Sequence, residues 1–331
     1  MTRPIHLDID ITGKVPIPGT LHTAVTVYLP DRGQLLDPPV VMFAYPGGGA
    51  SRGMYCTETA TLHDYSQARW HAERGAVFVA CDHLGTGASS HPDPTLLATP
   101  EPLALANMAT ANGVLERLAR NEIDPSFGTL VDPVRIGLGH SMGGGLLIIL
   151  QGQQAYFDGI AVLGSSAFHT AIPAPPGRDQ RPRPHPARNS PGTLGVWEER
   201  VPPQDDAQRR YFSRWDDEEA AFMRKHRDEW IVPLASTTMP PAARTMNSAG
   251  YASEEASRVQ CPVFVGYGER DVGVNPWEEP RYYWRARDVQ VAVIPRMSHG
   301  MNSASTREQM WRRVHHWATG VASWRTDEPL P

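Results

Sequence analysis

Residues 137 to 145 read GLGHSMGGG, and within them Ser141 carries a hydroxyl that could make and break a covalent bond. Gly139-His140-Ser141-Met142-Gly143 satisfies Gly-x-Ser-x-Gly, with an apolar run from Val134 to Leu138 before it and LLIIL after it. A chain that turns from a buried strand into a helix within so few residues crowds its own backbone, which leaves room only for glycine beside the serine. The hydroxyl is then held in a strained turn at the carboxyl end of a strand, with a helix N-terminus aimed at it. A serine attacks only when a base takes its proton, so a histidine is required, with a carboxylate to orient it. VFVGYGERDVGVNP puts Asp271 in the loop after one apolar run, and VAVIPRMSHGMN puts His299 in the loop after the next. Both loops leave strand carboxyl ends, the edge of the sheet that Ser141 also occupies.

The elements that must position these residues follow from the hydrophobic rhythm. HLDIDITG and HTAVTVYLP alternate apolar and polar residues about a Gly/Pro turn, as an antiparallel hairpin at a sheet edge does. Short apolar runs then recur at Pro39 to Ala44, Ala76 to Cys81, Val134 to Leu138, Gly159 to Leu163, Cys261 to Gly266 and Val289 to Ile294. Segments of helical length separate most of them, at about 58–74, 100–120, 142–155 and 276–287. Apolar strands alternating with helices predict a parallel sheet covered on both faces. Between Ser165 and Val259 no strand pattern is found. That interval opens with the Pro/Arg-rich AIPAPPGRDQRPRPHPARNSPG and continues with DDAQRRYFSRWDDEEAAFMRKHRDEW, which has the composition of one or two helices.

The order Ser141, Asp271, His299 along this pattern resembles the α/β-hydrolase family, whose nucleophile, acid and histidine follow one another in that sequence. The resemblance implies the α/β-hydrolase fold, a mostly parallel central sheet with helices on both faces and a helical cap. It divides the chain into a core at 1–164 and 260–331 and a helical cap or lid inserted at 165–259, with a helical appendage packed beside the core as the alternative. Asp82-His83-Leu84-Gly85-Thr86-Gly87-Ala88-Ser89 resembles the family's Asp-x-Arg-Gly-x-Gly-x-Ser turn, with Leu84 where arginine is usual, and is read as structural. Acyl transfer also needs backbone N–H donors for a developing oxyanion. One is expected from Met142. The other is expected from Ala44-Tyr45-Pro46-Gly47-Gly48-Gly49, which resembles the family's His-Gly motif but has Tyr45 in place of histidine. Pro46 has no N–H, so the donor is Gly47 or Gly48. Tyr45, His140 and Trp215 are the candidate substrate contacts; for His140, packing or shaping the turn is the competing role.

Other features carry less. His315 and His316 are adjacent on a C-terminal helix and point apart, and His63 and His71 have no carboxylate or cysteine at ligand spacing, so no metal and no cofactor are expected. The DDEE run at 216–219 reads as a solvated helix face. Arg178, Arg181, Arg183 and Arg188 read as solvating a Pro-rich loop, with an anionic substrate as the alternative. Trp197, Trp215, Trp230, Met223 and Met239 either pack a helical core or line an apolar acyl pocket.

A net charge of −5 with no basic stripe argues against nucleic acid as a partner. No stretch approaches the roughly 18 uninterrupted apolar residues of a membrane span, so no membrane insertion is expected. Cys56, Cys81 and Cys261 are odd in number and widely spaced, as buried thiols of a reducing, cytoplasmic compartment would be. The expectation is a cytoplasmic serine hydrolase acting on an ester-type bond of a small, mostly apolar molecule; a homodimer is compatible with it. A lactonase or carbon–carbon bond hydrolase acting on a ring-derived metabolite is the alternative, and a binding protein without turnover on the same fold is the remaining one.

Overall fold

The apolar runs form eight strands: β1 (Ile5–Asp10), β2 (His22–Tyr28), β3 (Val40–Tyr45), β4 (Val77–Cys81), β5 (Val134–His140), β6 (Gly159–Leu163), β7 (Val263–Arg270) and β8 (Val289–Ser298). They make one sheet in the order β1-β2-β4-β3-β5-β6-β7-β8. The computed structural model describes residues 3–57, 65–168, 170–177, 206–217, 235–246 and 248–327. β1 pairs with β2 and β2 with β4 antiparallel; every other pairing is parallel. Among the described residues no helix is long and apolar enough to cross a membrane.

The two faces of the sheet are read directly from β3, where every residue is buried. Val41, Phe43 and Tyr45 join one apolar cluster, with side chains of α2 (Glu101–Ala119) and α3 (Met142–Gln154). Val40, Met42 and Ala44 join the other, with α1 (Gln67–Ala72) and the C-terminal helix Arg307–Asp327. Strand side chains alternate between faces, so a strand buried on both must be apolar throughout.

Chain direction explains where a site can form. From β3 the chain steps to β4 on one side, then returns past β3 to β5 on the other. The carboxyl ends of β3 and β5 therefore bound a crevice that no crossover helix fills, the usual ligand position in an open α/β sheet. Tyr45 at the end of β3 pairs in register with Gly139 near the end of β5.

Two expected helices differ from the sequence reading. The segment expected at 276–287 is instead a 3-10 helix, Pro276–Tyr282, because Pro280 lies inside it and cannot donate to an α-helical ladder. Of the segment expected at 58–74, the helical part described is α1, and residues 58–64, His63 among them, lie outside the described residues. All three cysteines are free; Cys56 lies at the end of a 3-10 turn and is buried, as is Cys81, and Cys261 is half-buried.

His71 and His315, far apart in sequence, meet where α1 packs on the C-terminal helix. Their Nδ1 atoms lie 3.2 Å apart, and the Gln67 amide donates to His71 Nε2 at 3.4 Å. His71 therefore carries its proton on Nδ1 and donates it to His315. Burial, and then the neighbouring charges, hold His71 well below its ordinary value and bring His315 down to about 4. In the unfolded chain both protonate near 6.5, so below that pH the unfolded state binds protons that the folded pair refuses. Stability is full above about pH 6.5 and falls as the pH drops from there toward 4. Urea denaturation at pH 7.5 and pH 5 should show the wild type losing stability on acidification by about 1 kcal/mol more than His315→Phe, a figure discounted for the partial exposure of His315.

Candidate active site

Ser141 occupies the turn between β5 and α3 with φ 53° and ψ −118°, a conformation that side-chain-bearing residues rarely adopt. Glycine makes this turn feasible. A Cβ at Gly139 would overlap the Gly143 backbone, and one at Gly143 would overlap the Tyr45 carbonyl oxygen. The Ser141 N–H donates to Leu163 O on β6 at 2.8 Å, and the Gly143 N–H to Pro46 O at 3.1 Å. The serine is thus tied to the strand on one side and to the loop after β3 on the other.

That loop brings Gly47 against the serine: a Cβ on Gly47 would lie 3.3 Å from Ser141 Cβ. Gly48 faces away, toward Ala243, Met239 and the sulfur of Met142. Met142 stands at the first position of α3, where a backbone N–H has no intrahelical acceptor. Neither its N–H nor that of Gly47 has a protein acceptor among the described residues. Two donors of this kind beside a serine are the arrangement an oxyanion requires.

His299 and Asp271 are brought together at the ends of β8 and β7. His299 Nδ1 lies 2.7 Å from Asp271 Oδ1. The same carboxylate accepts the N–H groups of Val272 at 2.8 Å and Gly268 at 3.1 Å. A carboxylate that already accepts two N–H groups takes a third, so the Nδ1 of His299 carries the proton and its Nε2 is left as a base. The Asp271 side chain is 1 % exposed and the His299 side chain 13 %, so the acid is shut off from water while the imidazole edges the site. Gly164, at φ +55° after β6, leaves space for both: a Cβ there would lie 3.1 Å from the His299 ring and 3.3 Å from Asp271 Oδ2.

His140, the residue before the serine, shapes the site from behind. Its ring centroid is 4.5 Å from that of His299, and its Nε2–H donates to the His299 carbonyl at 2.8 Å. Burial, then the neighbouring His299, bring its pKa down to about 3, so it is neutral throughout the physiological range. His83 supports the glycine loop after β3 in a similar way. Buried under the site, it donates from Nε2 to Pro46 O at 2.9 Å and faces the Asn107 amide with Nδ1 at 3.0 Å, and burial holds its pKa down.

The expected role of Tyr45 is corrected. Tyr45 alternates onto the covered face of β3, is fully buried, and gives its hydroxyl to Asn107 O at 3.0 Å, so only its backbone borders the site. Trp215 lies over the Arg270 guanidinium at 3.7 Å, next to the acid's loop. The described part of the acidic run lies in a turn rather than on a helix, and Asp216 is exposed as expected. Asp216 takes both ends of the Arg270 guanidinium at 2.9 and 3.3 Å, which lowers its pKa through that hydrogen bond and charge, and Asp217 meets Arg296 at 3.3 Å. The remaining two residues of the run, at 218 and 219, lie outside the described residues, as do Arg178, Arg181, Arg183, Arg188, Trp197, Met223 and Trp230.

Sequence reasoning missed three features. Asp82 finds its cation in Arg52, from the loop after β3, where the family turn has arginine at the position of Leu84. The signal would have been an unpaired buried acid in search of a base. Glu279 is buried, accepts from the Ser166 hydroxyl and the Ala167 N–H, and is raised by burial to about 7. Phe212 is stacked on His299, which no spacing rule links to it. Among the described residues no group of three or more His, Cys, Asp or Glu could hold a metal ion.

Comparison with known proteins places this geometry in context. Residues 40–313 match the model of a family described as the alpha/beta hydrolase family. A thermophilic esterase from Thermogutta terrifontis, solved with malate bound, is similar in structure with a TM-score of 0.54 at 17 % identity, covering 96 % of this chain and 99 % of that one. A proline iminopeptidase from Mycobacterium smegmatis gives 0.56 at 16 %, covering 98 % of this chain and 100 % of that one. A monoacylglycerol lipase from Paleococcus ferrophilus gives 0.55 at 16 %, covering 91 % and 99 %. Among curated proteins no sequence matches the chain.

The closeness of Gly143 to the Tyr45 carbonyl yields a direct test. Gly143→Ala should lose at least about 2 kcal/mol of unfolding free energy, since overlap with backbone forces the turn and the β3 loop apart. Urea denaturation measures it, and Gly49→Ala, where a Cβ meets nothing within 4 Å, is the control expected to change little.

Proposed function

From the chain's membership of the alpha/beta hydrolase family, to which it belongs by the match over residues 40–313, we propose that it is a serine hydrolase. It cleaves a carboxylic ester-type bond of a small, mostly apolar substrate through an acyl-enzyme. The observation that carries this reading is the His299–Asp271 hydrogen bond at 2.7 Å, formed at the same sheet edge as a serine held in a φ 53° turn.

Ser141 Oγ attacks the substrate carbonyl while His299 Nε2 accepts its proton. The charge that develops on the carbonyl oxygen is met by the N–H groups of Met142 and Gly47, which have no protein acceptor to give up among the described residues. His299 then protonates the leaving alcohol. Water, deprotonated by His299, attacks the acyl-enzyme, and collapse of the second tetrahedral species returns the proton to Ser141 and releases the acid. Asp271 holds the ring in the tautomer this requires and stabilises its charged form.

The mostly apolar substrate is supported by Met142, Met239 and Ala243, which gather around Gly48 beside the loop. The esterase and the lipase among the similar structures are consistent with an ester, and the iminopeptidase makes amides the necessary comparison. We take residues 165–259 to be a cap over a core of 1–164 and 260–331, and the three free cysteines support a reducing compartment such as the cytoplasm.

A fluorophosphonate should add once to the wild type and not to Ser141→Ala, read as intact mass; no adduct on either would overturn the serine mechanism. Turnover of short aryl esters, lactones, thioesters, vinylogous diketones and amino-acid anilides at equal concentration should be highest for the esters. Asp271→Asn should lower kcat by about 10³- to 10⁴-fold, because an amide at that position favours the wrong imidazole tautomer.

A further inference from the structure

The catalytic machinery just described lies on the sheet edge, yet the ring of His299 is held on one face by a residue from the interval between β6 and β7. The helix α4 (Asp206–Ser213) ends with Phe212 stacked on the His299 imidazole, ring centroids 4.4 Å apart and planes 22° from parallel. The backbone joins them as well. The His299 N–H donates to Phe212 O at 3.0 Å, and a Cβ on Gly300 would overlap Ser213 O.

The residues on either side of Phe212 grip the chain near Asp271 and His299. The Arg270 guanidinium, one residue before Asp271, lies 4.3 Å from the Tyr211 ring centroid and 3.7 Å from that of Trp215, with Asp216 bonded to its two terminal nitrogens. Asp217 takes Arg296 at 3.3 Å and the Ser305 hydroxyl at 3.0 Å, on the two sides of His299 in sequence. One short segment, 206–217, therefore touches the chain beside the acid and the chain on both sides of the histidine.

A general base must keep its free nitrogen directed at the nucleophile, and small misplacement of reacting groups is expensive in rate. The Nδ1 bond to Asp271 fixes one point of the imidazole and leaves rotation about that bond. The ring lies close to two others, His140 at 4.5 Å and Phe212 at 4.4 Å. His140 is tied by its Nε2–H to the His299 carbonyl, and Phe212, with its plane 22° from that of the imidazole, limits tilt of the ring toward itself.

We propose that Phe212 is a positioning residue for His299, and that docking of segment 206–217 through Arg270 and Arg296 is a condition for a competent His299–Asp271 pair. The proposal rests on the serine-hydrolase reading for its kinetic consequence but not for its structural one. It couples the placement of segment 206–217 to reactivity at Ser141 through contacts beside Asp271 and His299.

The test compares the full chain with Phe212→Leu, which keeps apolar volume without a ring, with Phe212→Tyr, which keeps the ring, and with the double variant Asp216→Asn/Asp217→Asn. Two readouts are taken: the second-order rate of fluorophosphonate labelling at Ser141, and the far-downfield proton resonance of the His299 Nδ1–H, assigned by its loss in His299→Gln. Phe212→Leu should label about 10-fold or more slowly, with a broadened resonance, while Phe212→Tyr stays within about 2-fold of the wild type with a sharp one. A wild-type labelling rate and a sharp resonance in Phe212→Leu would overturn the proposal. Should Phe212→Leu fail to melt cooperatively, the double variant carries the test: slower labelling and a broadened resonance support the clamp, and wild-type values for both overturn it. A wild type that shows the resonance but takes no label would sink the serine-hydrolase reading alone, and the resonance in the variants would still decide the role of Phe212.

Discussion

A single backbone crossing holds this site together. Where α3 leaves β5, Gly143 passes so close to the carbonyl of Tyr45 that no side chain fits between them, and its N–H bonds to the next carbonyl, Pro46 O. The serine turn and the glycine loop after β3 are thereby one unit. The N–H of Met142 and the N–H of Gly47 cannot separate unless that bond breaks. The strain at Ser141, a left-handed φ at a residue with a side chain, persists because bonds to Leu163 on β6 and Pro46 beside β3 fix it from both sides. His83 closes the arrangement from below by sharing the Pro46 carbonyl.

Electrostatics follow the same plan of fixed neighbours. Burial brings the pKa of His140 down to about 3 and lowers that of His83, so a charge formed on His299 during a reaction would meet no second imidazolium at His140. A second cation about 4 Å from it would oppose that charge by about 1 kcal/mol in water and about 4 kcal/mol at an effective dielectric of 20. Desolvation of His140, down to about 3, removes that conflict. The buried acid Asp82 has the opposite need and meets it with Arg52 and the Ala88 N–H, so the turn after β4 carries no unpaired charge toward the crevice. A buried ion pair of this kind is costly to break, since removing either partner leaves a charge without water.

The loops that carry the acid and the histidine are less self-sufficient than the serine turn. Each has a cation beside it, Arg270 before Asp271 and Arg296 before His299, and both cations are answered by the neighbouring aspartates Asp216 and Asp217. Isolated exposed ion pairs contribute little. Here the Arg270 side chain is only 16 % exposed and two aromatic rings flank its guanidinium, which makes the contact more than a solvated charge pair. The sheet edge thus places the acid and the histidine, and the described part of the chain between β6 and β7 contributes to their fine position.

The sequence alone determined the eight strands, the hairpin that starts them, the strand–turn–helix around Ser141 and the chain order of serine, acid and histidine. These are local: periodicity of apolar residues, glycine where backbone crowds, and loops that leave strand ends. It also named Gly47 ahead of Gly48. Tertiary structure decided what depends on which way a side chain points or on residues distant in sequence. Tyr45 alternates into the core because β3 is buried on both faces, so its hydroxyl meets Asn107 and not the crevice. Asp216 and Asp217, a solvated run by composition, find arginines 54 and more residues away. Arg52 supplies the charge that Leu84 cannot, and His71 meets His315 across 244 residues of chain. Pairings of that kind have no periodicity to betray them, since they are fixed by packing of elements whose separation in space bears no relation to their separation in sequence.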